Sequence, residues 1–346
     1  MIRRPPRSTR KESSAASDVY KRQHDMGVIS ETADRVAVMK NGDLVEIGLT
    51  KEILTNPKEI YTKSLISSVP PTNKKISRFK IMEKKENNEK GTNIKILDRW
   101  NKKNLTSQNL IEIKNLKKTF EEGMFTEASK NTVMAVDDVS FNIKEGESFG
   151  LVGESGSGKS TIAKMIVNLF KPSSGEIFFD KVCIRKIKKN SEMMNFRKQI
   201  QMIFQDPYSS LNGRLKVKDI IAEPIKLHNP KITNNDLDNY INDLLESVEL
   251  SKKSSTRYSH EFSGGQRQRI SIARALATQP RLLVCDEPTS ALDVSIQAQI
   301  LNLLKDLQEQ LNLTILFISH DLPVVRQMCD RIGVLRNGKL CEVSDT

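Results

Sequence analysis

The sequence predicts an α/β fold for most of the chain, because short apolar segments alternate with helical patterns from Leu110 onward. An apolar face also recurs at helical spacing over residues 296–307. Three continuous apolar segments are typical of strands buried on both faces of a parallel sheet: 149–152, 282–285 and 314–318. A chain of 346 residues, 37% of them hydrophobic, is long enough to bury such a core.

An internal repeat predicts how the chain is divided. Residues 24–46 read HDMGVISETADRVAVMKNGDLVE, and residues 320–342 read HDLPVVRQMCDRIGVLRNGKLCE, so the two match without gaps. Each copy predicts a short helix, a strand, an Asn-Gly turn and a second strand. We therefore expect residues 24–70 to be the C-terminal remnant of a first domain. Residues 109–346 would be a second domain of the same kind, truncated at its C-terminus.

The net charge of +12 is confined to the segments outside these two copies. Residues 1–23 carry seven basic and two acidic residues, and residues 71–103 carry eleven and four, which leaves a neutral body. A neutral body does not favour a nucleic-acid platform, so we expect no specific nucleic-acid partner. Residues 1–23 resemble translated adapter sequence and are expected to be disordered and artefactual, whereas residues 71–108 are expected to form a solvated basic linker.

Cysteine usage and hydropathy indicate the cellular compartment in which the chain folds. The four cysteines form no close pair, which favours reduced thiols in a cytosol. No apolar run reaches the length of a membrane span. The sequence does not start with charged residues followed by an apolar stretch, so we expect no secretory signal.

A phosphate-binding loop follows the first buried strand. Its pattern, GxxxxGK[ST], requires a strand before it and a helix after it, and we predict that helix over residues 161–170. Backbone N–H groups of such a loop point at phosphate oxygens, and the helix N-terminus adds partial positive charge. We expect Lys159 to reach the β- and γ-phosphates and the Ser160 hydroxyl to ligate Mg²⁺. The loop consists of Gly153, Glu154, Ser155, Gly156, Ser157, Gly158, Lys159, Ser160 and Thr161.

Two carboxylates end the predicted strand 282–285. Asp286 is placed to hold the Mg²⁺ shell. Glu287 is the next residue after Asp286, so we expect its side chain to point in a different direction from that of Asp286. It can then polarise a water for attack on the γ-phosphate.

A second candidate anion site begins at Ser263, Gly264, Gly265 and Gln266, where two glycines open a helix. One phosphate-binding loop already serves the nucleotide of this domain. The second element is therefore expected to cap a nucleotide held by another domain. A plain helix start with Ser263 as its N-cap is the alternative.

With these motifs in this order, residues 110–346 resemble the ATP-hydrolysing subunits of ABC transporters. The resemblance implies a P-loop NTPase cassette with a RecA-like core, an antiparallel β subdomain and a helical signature subdomain. It also implies that Gln205 senses the metal, that His320 contacts the γ-phosphate and that Asp293 helps to tie two ATP sites together. Phe120 resembles the aromatic residue that stacks on adenine, although it could also be a strand-end core residue.

The chain resembles the oligopeptide and dipeptide importer ATPases most closely. Phe262 and Gly213 depart from the wider pattern, which has leucine and proline there, and Gly213 is expected to loosen its loop. The similar segments are QDPYSSLN at 205–212, IAEP at 221–224, HEFSGG at 260–265, DVSIQAQ at 293–299 and, in the remnant, NP at 56–57 and YTKSL at 61–65.

The resemblance implies an ATP- and Mg²⁺-dependent ATPase at the cytoplasmic face of a bacterial membrane. Its implied partners are a second ABC cassette, two membrane permease subunits and, indirectly, an external solute-binding protein. The cargo stays open among peptides, nickel and glutathione. A ribosome-acting tandem ABC ATPase is the alternative, but Ser290 and Ala291 stand where that group carries Asn-His. Because the repeat is incomplete, we expect a piece of a longer two-cassette protein with poor activity alone.

Overall fold

The computed structural model describes residues 26–40, 42–67, 75–79, 94–100, 108–122 and 131–346. Residues 1–23, expected to be disordered, lie outside the described residues. Among those described, no helix combines the length and apolar character that crossing a bilayer requires. The elements before the second copy are α1 (Met26–Thr32), β1 (Arg35–Lys40), β2 (Asp43–Leu49), α2 (Thr50–Thr55), α3 (Ile60–Ser67) and a 3₁₀ turn (Lys95–Arg99).

The second copy contains two sheets and a group of helices. In chain order its elements are β3 (Asn109–Glu122), β4 (Asn131–Lys144), β5 (Ser148–Gly153), α4 (Lys159–Ile166), β6 (Ser174–Phe179), β7 (Val182–Cys183), α5 (Asn190–Gln199), β8 (Ile200–Ile203), α6 (Pro207–Ser210), α7 (Val217–His228), α8 (Asn234–Ser247), α9 (Gly264–Leu276), β9 (Leu282–Asp286), α10 (Val294–Leu311), β10 (Thr314–Ile318), α11 (Leu322–Met328), β11 (Arg331–Arg336) and β12 (Lys339–Asp345).

The central sheet has the order β12-β11-β5-β10-β9-β8. Strands β8, β9, β10, β5 and β11 run parallel, and β12 joins as an antiparallel edge. All residues of β9 and β10 are buried, as their continuous apolar sequences predicted. The predicted α/β class is therefore confirmed.

A second, antiparallel sheet has the order β4-β3-β6-β7 and covers the phosphate-loop side of the core. Its apolar residues, such as Ile111 and Val136, share one buried cluster with Leu151 of β5 and Ile162 of α4. Helix α4 ends at Ile166, short of the predicted 170, because Asn168 adopts a left-handed backbone (φ 58°) that stops the helix. Helices α7, α8 and α9 pack in another cluster with α10.

The hairpin β1–β2 repeats the hairpin β11–β12 in register. Arg35 pairs with Leu49 as Arg331 pairs with Asp345, and each hairpin has its irregularity at the equivalent step. The burial differs, because β11 also pairs with β5, whereas β1 belongs to a two-stranded sheet among the described residues. Met39 is consequently 59% exposed, while its counterpart Leu335 is 1% exposed.

Two described segments of the linker, residues 75–79 and 94–100, pack against the second copy, so these two segments are not solvated as we expected. Phe79 is 4% exposed, and the Asn302 side chain accepts from its N–H and donates to its carbonyl oxygen, both at 2.8 Å. Arg78 forms ion pairs with Asp306 at 2.6 Å and Glu309 at 2.8 Å on the same helix, α10. Residues 75–79 are thus packed on the surface of the second copy, against α10.

The second linker segment, residues 94–100, lies against α8. Ile94, Ile96 and Trp100 are buried in the same cluster as the helices. The Ile96 N–H donates to Ser247 Oγ at 3.1 Å, and Arg99 pairs with Asp243 at 2.9 Å. The segment docks through only a few apolar residues, and they show no helical or strand periodicity. The hydrophobic pattern of the sequence therefore did not predict this contact.

Replacing Phe79 with alanine tests whether the linker is docked. We expect Phe79→Ala to lower the free energy of unfolding by about 3 kcal/mol, because a buried aromatic side chain leaves a cavity. Leu227→Ala is the control, since that side chain is 62% exposed, and it should change stability by less than about 0.5 kcal/mol. Chemical denaturation measures both. Equal, negligible effects would support a solvated tether.

Candidate nucleotide site

The phosphate loop forms where β5 ends and α4 begins. Gly153, Gly156 and Gly158 all have positive φ angles, of 153°, 83° and 103°. A Cβ on Gly158 would collide with the carbonyl oxygen of Ala135, and one on Gly153 would collide with that of Leu335. Glycine is therefore required at these turns for both conformational and steric reasons. The loop is also held from outside, since Gly338 N–H donates to Ser157 O at 3.1 Å.

Lys159 turns back into the loop that precedes it. Its ammonium donates to the carbonyl oxygens of Gly153 and Glu154, both at 2.8 Å. Burial lowers the pKa of Lys159, although Glu287 and Asp286 oppose this shift. A buried ammonium between loop carbonyls is well placed to exchange these contacts for phosphate oxygens.

Ser160 and Asp286 meet at the base of the loop. The Ser160 hydroxyl donates to Asp286 Oδ1 at 2.9 Å, which joins the first turn of α4 to the end of β9. Burial raises the pKa of the Asp286 carboxyl, although the Ser160 hydrogen bond opposes the shift. Ser160 and Asp286 together supply the hard oxygen donors that Mg²⁺ prefers.

Glu287 lies between two side chains from other strand ends. Gln205 Nε2 donates to Glu287 Oε2 at 2.9 Å, and His320 Nδ1 lies 3.3 Å from Glu287 Oε1. Glu287 itself has a left-handed backbone (φ 46°), and its N–H donates to Ile318 O at 2.9 Å. Glu287 and Asp286 thus have different partners, since Asp286 accepts from Ser160.

The hydrogen bond to Glu287 raises the pKa of His320, and burial opposes this shift only in part. Protonated His320 therefore stabilises the folded state at pH values below the usual histidine pKa of about 6.5. That contribution is lost as the pH rises through the raised pKa of the folded state. The charge of Glu287 therefore favours the protonated form of His320.

The signature residues form the start of α9. Ser263 and Gln266 make a capping box, in which Ser263 Oγ accepts from Gln266 N–H at 3.4 Å and Gln266 Oε1 accepts from Ser263 N–H at 3.2 Å. Gly264 lies against Tyr208 and Leu292, and Gly265 lies against Ile296. These neighbours belong to α6, α10 and the turn before α10, not to the phosphate loop.

Asp293 and Phe120 have local roles that the motifs did not reveal. Asp293 is the N-cap of α10 and accepts from Ile296 N–H at 3.0 Å. Phe120 packs edge-on against Phe170 at 5.6 Å between ring centroids and carries Lys118 over its ring at 4.9 Å. Its half-buried ring is compatible with either expectation, adenine stacking or a strand-end core position.

Sequence reasoning missed Tyr208, Arg267 and Gln268. Arg267 stacks on the Tyr208 ring at 4.3 Å, and Gln268 is fully buried without a hydrogen-bond partner on either amide atom. Gly213 was expected to loosen its loop. Its carbonyl oxygen lies 2.8 Å from His260 Nδ1. An aromatic residue two positions after the Asp206 cap was the available signal for α6.

A phosphate loop, a strand-end carboxylate pair and a separate glycine-opened helix on one α/β sheet define a nucleotide-binding cassette. A family model described as ABC transporter matches residues 136–290. The oligopeptide transport ATP-binding protein OppF of Streptococcus mutans is 55% identical over 234 residues, which cover 68% of this chain and 74% of that protein. The chain belongs to the oligopeptide and dipeptide family of ABC transporter ATPases.

Three further comparisons agree with this assignment. The dipeptide transport ATP-binding protein DppF of Lactococcus lactis is 52% identical over 236 residues, covering 68% of this chain and 74% of that protein. The glutathione import ATP-binding protein GsiA of Escherichia coli is 39% identical over 327 residues, covering 92% of this chain and 51% of that protein. The dimeric post-hydrolysis structure of the ATP-binding cassette MJ0796, bound to ADP and Pi, is 31% identical with a TM-score of 0.61, covering 68% of this chain and 98% of that one.

The fold that the resemblance implied is therefore confirmed, and as a family member the chain is an ATPase. The ribosome-acting alternative receives no support from these relatives.

The coupling of His320 to Glu287 can be measured directly. We expect Glu287→Gln to lower the pKa of His320 toward about 6.5, because the neutral amide no longer favours the imidazolium. NMR titration resolves the signals of the four histidines. His228, whose pKa is lowered mainly by burial, is an internal reference that should not move. An unchanged pKa of His320 would contradict the coupling.

Proposed function

We propose that the chain binds and hydrolyses MgATP to energise the import of oligopeptides or dipeptides through separate permease subunits. The contact of Glu287 with both Gln205 and His320, beside the phosphate loop, is the observation that carries the proposal. It groups a candidate base with two polar side chains from different strands. The higher identity to OppF and DppF than to GsiA favours peptides over glutathione as cargo.

In the proposed complex, the phosphate loop binds the nucleotide. Its N–H groups and the α4 N-terminus receive the phosphates, Lys159 exchanges its carbonyl contacts for the β- and γ-phosphates, and Phe120 stacks on adenine. Mg²⁺, when bound, neutralises charge that develops on the phosphates. Ser160, Asp286 and Gln205 are the residues that would hold it, and their oxygens suit that ion.

Hydrolysis in this proposal depends on Glu287. Its carboxylate orients and polarises a water toward the γ-phosphate, and its left-handed turn separates it from Asp286. His320, whose Nδ1 lies 3.3 Å from Glu287 Oε1, would contact the γ-phosphate and adjust the charge of Glu287. Gln205 would link this arrangement to the permease, because it precedes α6, in which Tyr208 and Ser209 are exposed.

A second cassette would complete the site. Gly264 and Gly265 lie against Tyr208, Leu292 and Ile296 and not against the phosphate loop. In the proposal, these glycines and the capping pair Ser263 and Gln266 therefore face the nucleotide of a partner cassette rather than their own. Asp293, as the cap of α10, would lie at the same interface. The related MJ0796 cassette is described as dimeric, which supports this arrangement.

The remaining parts of the chain are assigned in the same proposal. Residues 24–70 would be a remnant of a first cassette, as the shared hairpin register supports. The match to GsiA covers 92% of the chain, so it extends beyond residues 109–346. We place the assembly at the cytoplasmic face of a bacterial membrane, with two permease subunits and an external solute-binding protein as partners.

Two substitutions separate binding from hydrolysis. We expect Glu287→Gln to retain ATP affinity and to lower kcat by at least about a hundredfold, because the water loses its polarising carboxylate. Lys159→Ala should instead weaken ATP binding, because a phosphate-facing charge is lost. Glu342→Gln, an exposed carboxylate on β12, is the control and should behave as the unmodified chain.

Nucleotide titration and phosphate release measure the two effects. The assignment of roles is wrong if Glu287→Gln binds ATP far more weakly than Lys159→Ala does.

A further inference from the structure

We propose that Tyr208 is a positioning residue that fixes the start of the signature helix α9 for the nucleotide of the opposite cassette. The inference rests on the proposed function, because it assumes that the signature acts in a shared site. It adds Tyr208, a residue to which the motifs assigned no role.

Tyr208 is held on a short, well-capped helix. Asp206 accepts from Tyr208 N–H at 2.8 Å and from Ser209 N–H at 3.3 Å, and Pro207 occupies the first position of α6. Proline and the cap together fix the backbone direction of α6. The Tyr208 side chain is nevertheless 53% exposed, so it is not anchored by burial in the core.

The Tyr208 ring contacts the signature directly. A Cβ on Gly264 would lie 3.2 Å from Tyr208 Oη and 3.7 Å from the ring carbon Cε2, so both the hydroxyl and the ring lie against the bare backbone of that glycine. Arg267 covers the other part of the ring at 4.3 Å from the centroid. Arg267 also donates to Phe262 O and His260 O, both at 2.9 Å. Tyr208 thus contacts Gly264 and Arg267 after Ser263, and Arg267 connects it to Phe262 and His260 before Ser263.

A further contact aligns α6 with α9. Arg274 donates to Ser210 O at 2.7 Å, and Ser210 Oγ lies 3.4 Å from Ser271 Oγ. On the opposite side, Leu292 and Ile296 lie against Gly264 and Gly265. The glycines are therefore held between α6 on one side and α10 with its preceding turn on the other.

This placement has a mechanistic consequence. Two successive glycines leave the N–H groups at the helix start conformationally free, and an anion site needs them fixed. Tyr208 supplies the restraint with its ring. Tyr208 also lies three residues after Gln205, which contacts Glu287. Tyr208 therefore connects the chain's own nucleotide site to its signature helix, which in the proposal completes the site of the partner cassette.

Hydrogen exchange in the full chain tests the restraint. We expect Tyr208→Ala to speed amide exchange over residues 264–267 by about three- to fivefold, the size of one lost cation–π contact. Residues 156–160 of the phosphate loop should be unaffected, and Tyr208→Phe should restore slow exchange because it keeps the ring. Tyr61→Ala is a matched control, since Lys40 lies over that ring at 4.8 Å. Unchanged exchange over 264–267 would overturn the inference.

Mixed dimers test the direction of the effect. Lys159→Ala in one chain and Ser263→Ala in the other leave one intact site, with the signature from the first chain and the phosphate loop from the second. We expect Tyr208→Ala in the chain that supplies the signature, the signature donor, to lower kcat of the intact site at least about fivefold. The same substitution in the chain that supplies the phosphate loop, the phosphate-loop donor, should lower kcat much less. Tyr208→Phe in the signature donor should restore kcat.

The outcomes separate the two proposals. An equal loss in both positions, or a larger loss in the phosphate-loop donor, would overturn the positioning role of Tyr208. If the mixed dimer hydrolyses no ATP even with Tyr208 intact, the shared site of the proposed function fails. The exchange measurement then still decides whether Tyr208 orders the signature.

Discussion

The parallel alignment of four neighbouring strands is the constraint on which the rest of the site depends. Parallel strands end at one edge of a sheet, so residues distant in sequence meet there. The phosphate loop begins at the last residue of β5, Asp286 ends β9 and Glu287 follows it, His320 follows β10 and Gln205 follows β8. The contacts of Glu287 with Gln205 and His320 and of Ser160 with Asp286 are consequences of that alignment.

The sequence predicts three of these strand ends, because the phosphate loop, Glu287 and His320 each come after a continuous apolar segment. Gln205 was assigned from the family resemblance alone, and its contact with Glu287 was not predicted. The sequence predicts the linker poorly. Phe79 and Trp100 give no periodic signal, and their partners on α8 and α10 are more than a hundred residues away. Tyr208 was missed for a related reason, since its role comes from contact with Gly264, a residue without a side chain.

The two hairpins show which features a local sequence can specify. Strand register and the bulge depend on the Asn-Gly turn and on alternation, so both copies share them. Burial depends on a neighbouring strand. The cassette supplies β5 to β11, and Leu335 is buried, whereas the equivalent Met39 is exposed in its two-stranded sheet. A repeat in sequence therefore predicts a repeated shape but not a repeated core.

The central claim is that the signature of one cassette completes the nucleotide site of another. The rate of ATP hydrolysis per molecule, measured against the concentration of the purified chain, tests it most directly. If the site is shared, the rate per molecule is low in dilute solution and rises with concentration as the cassettes pair. A high rate per molecule that does not depend on concentration, in a protein shown to be monomeric, would contradict the account.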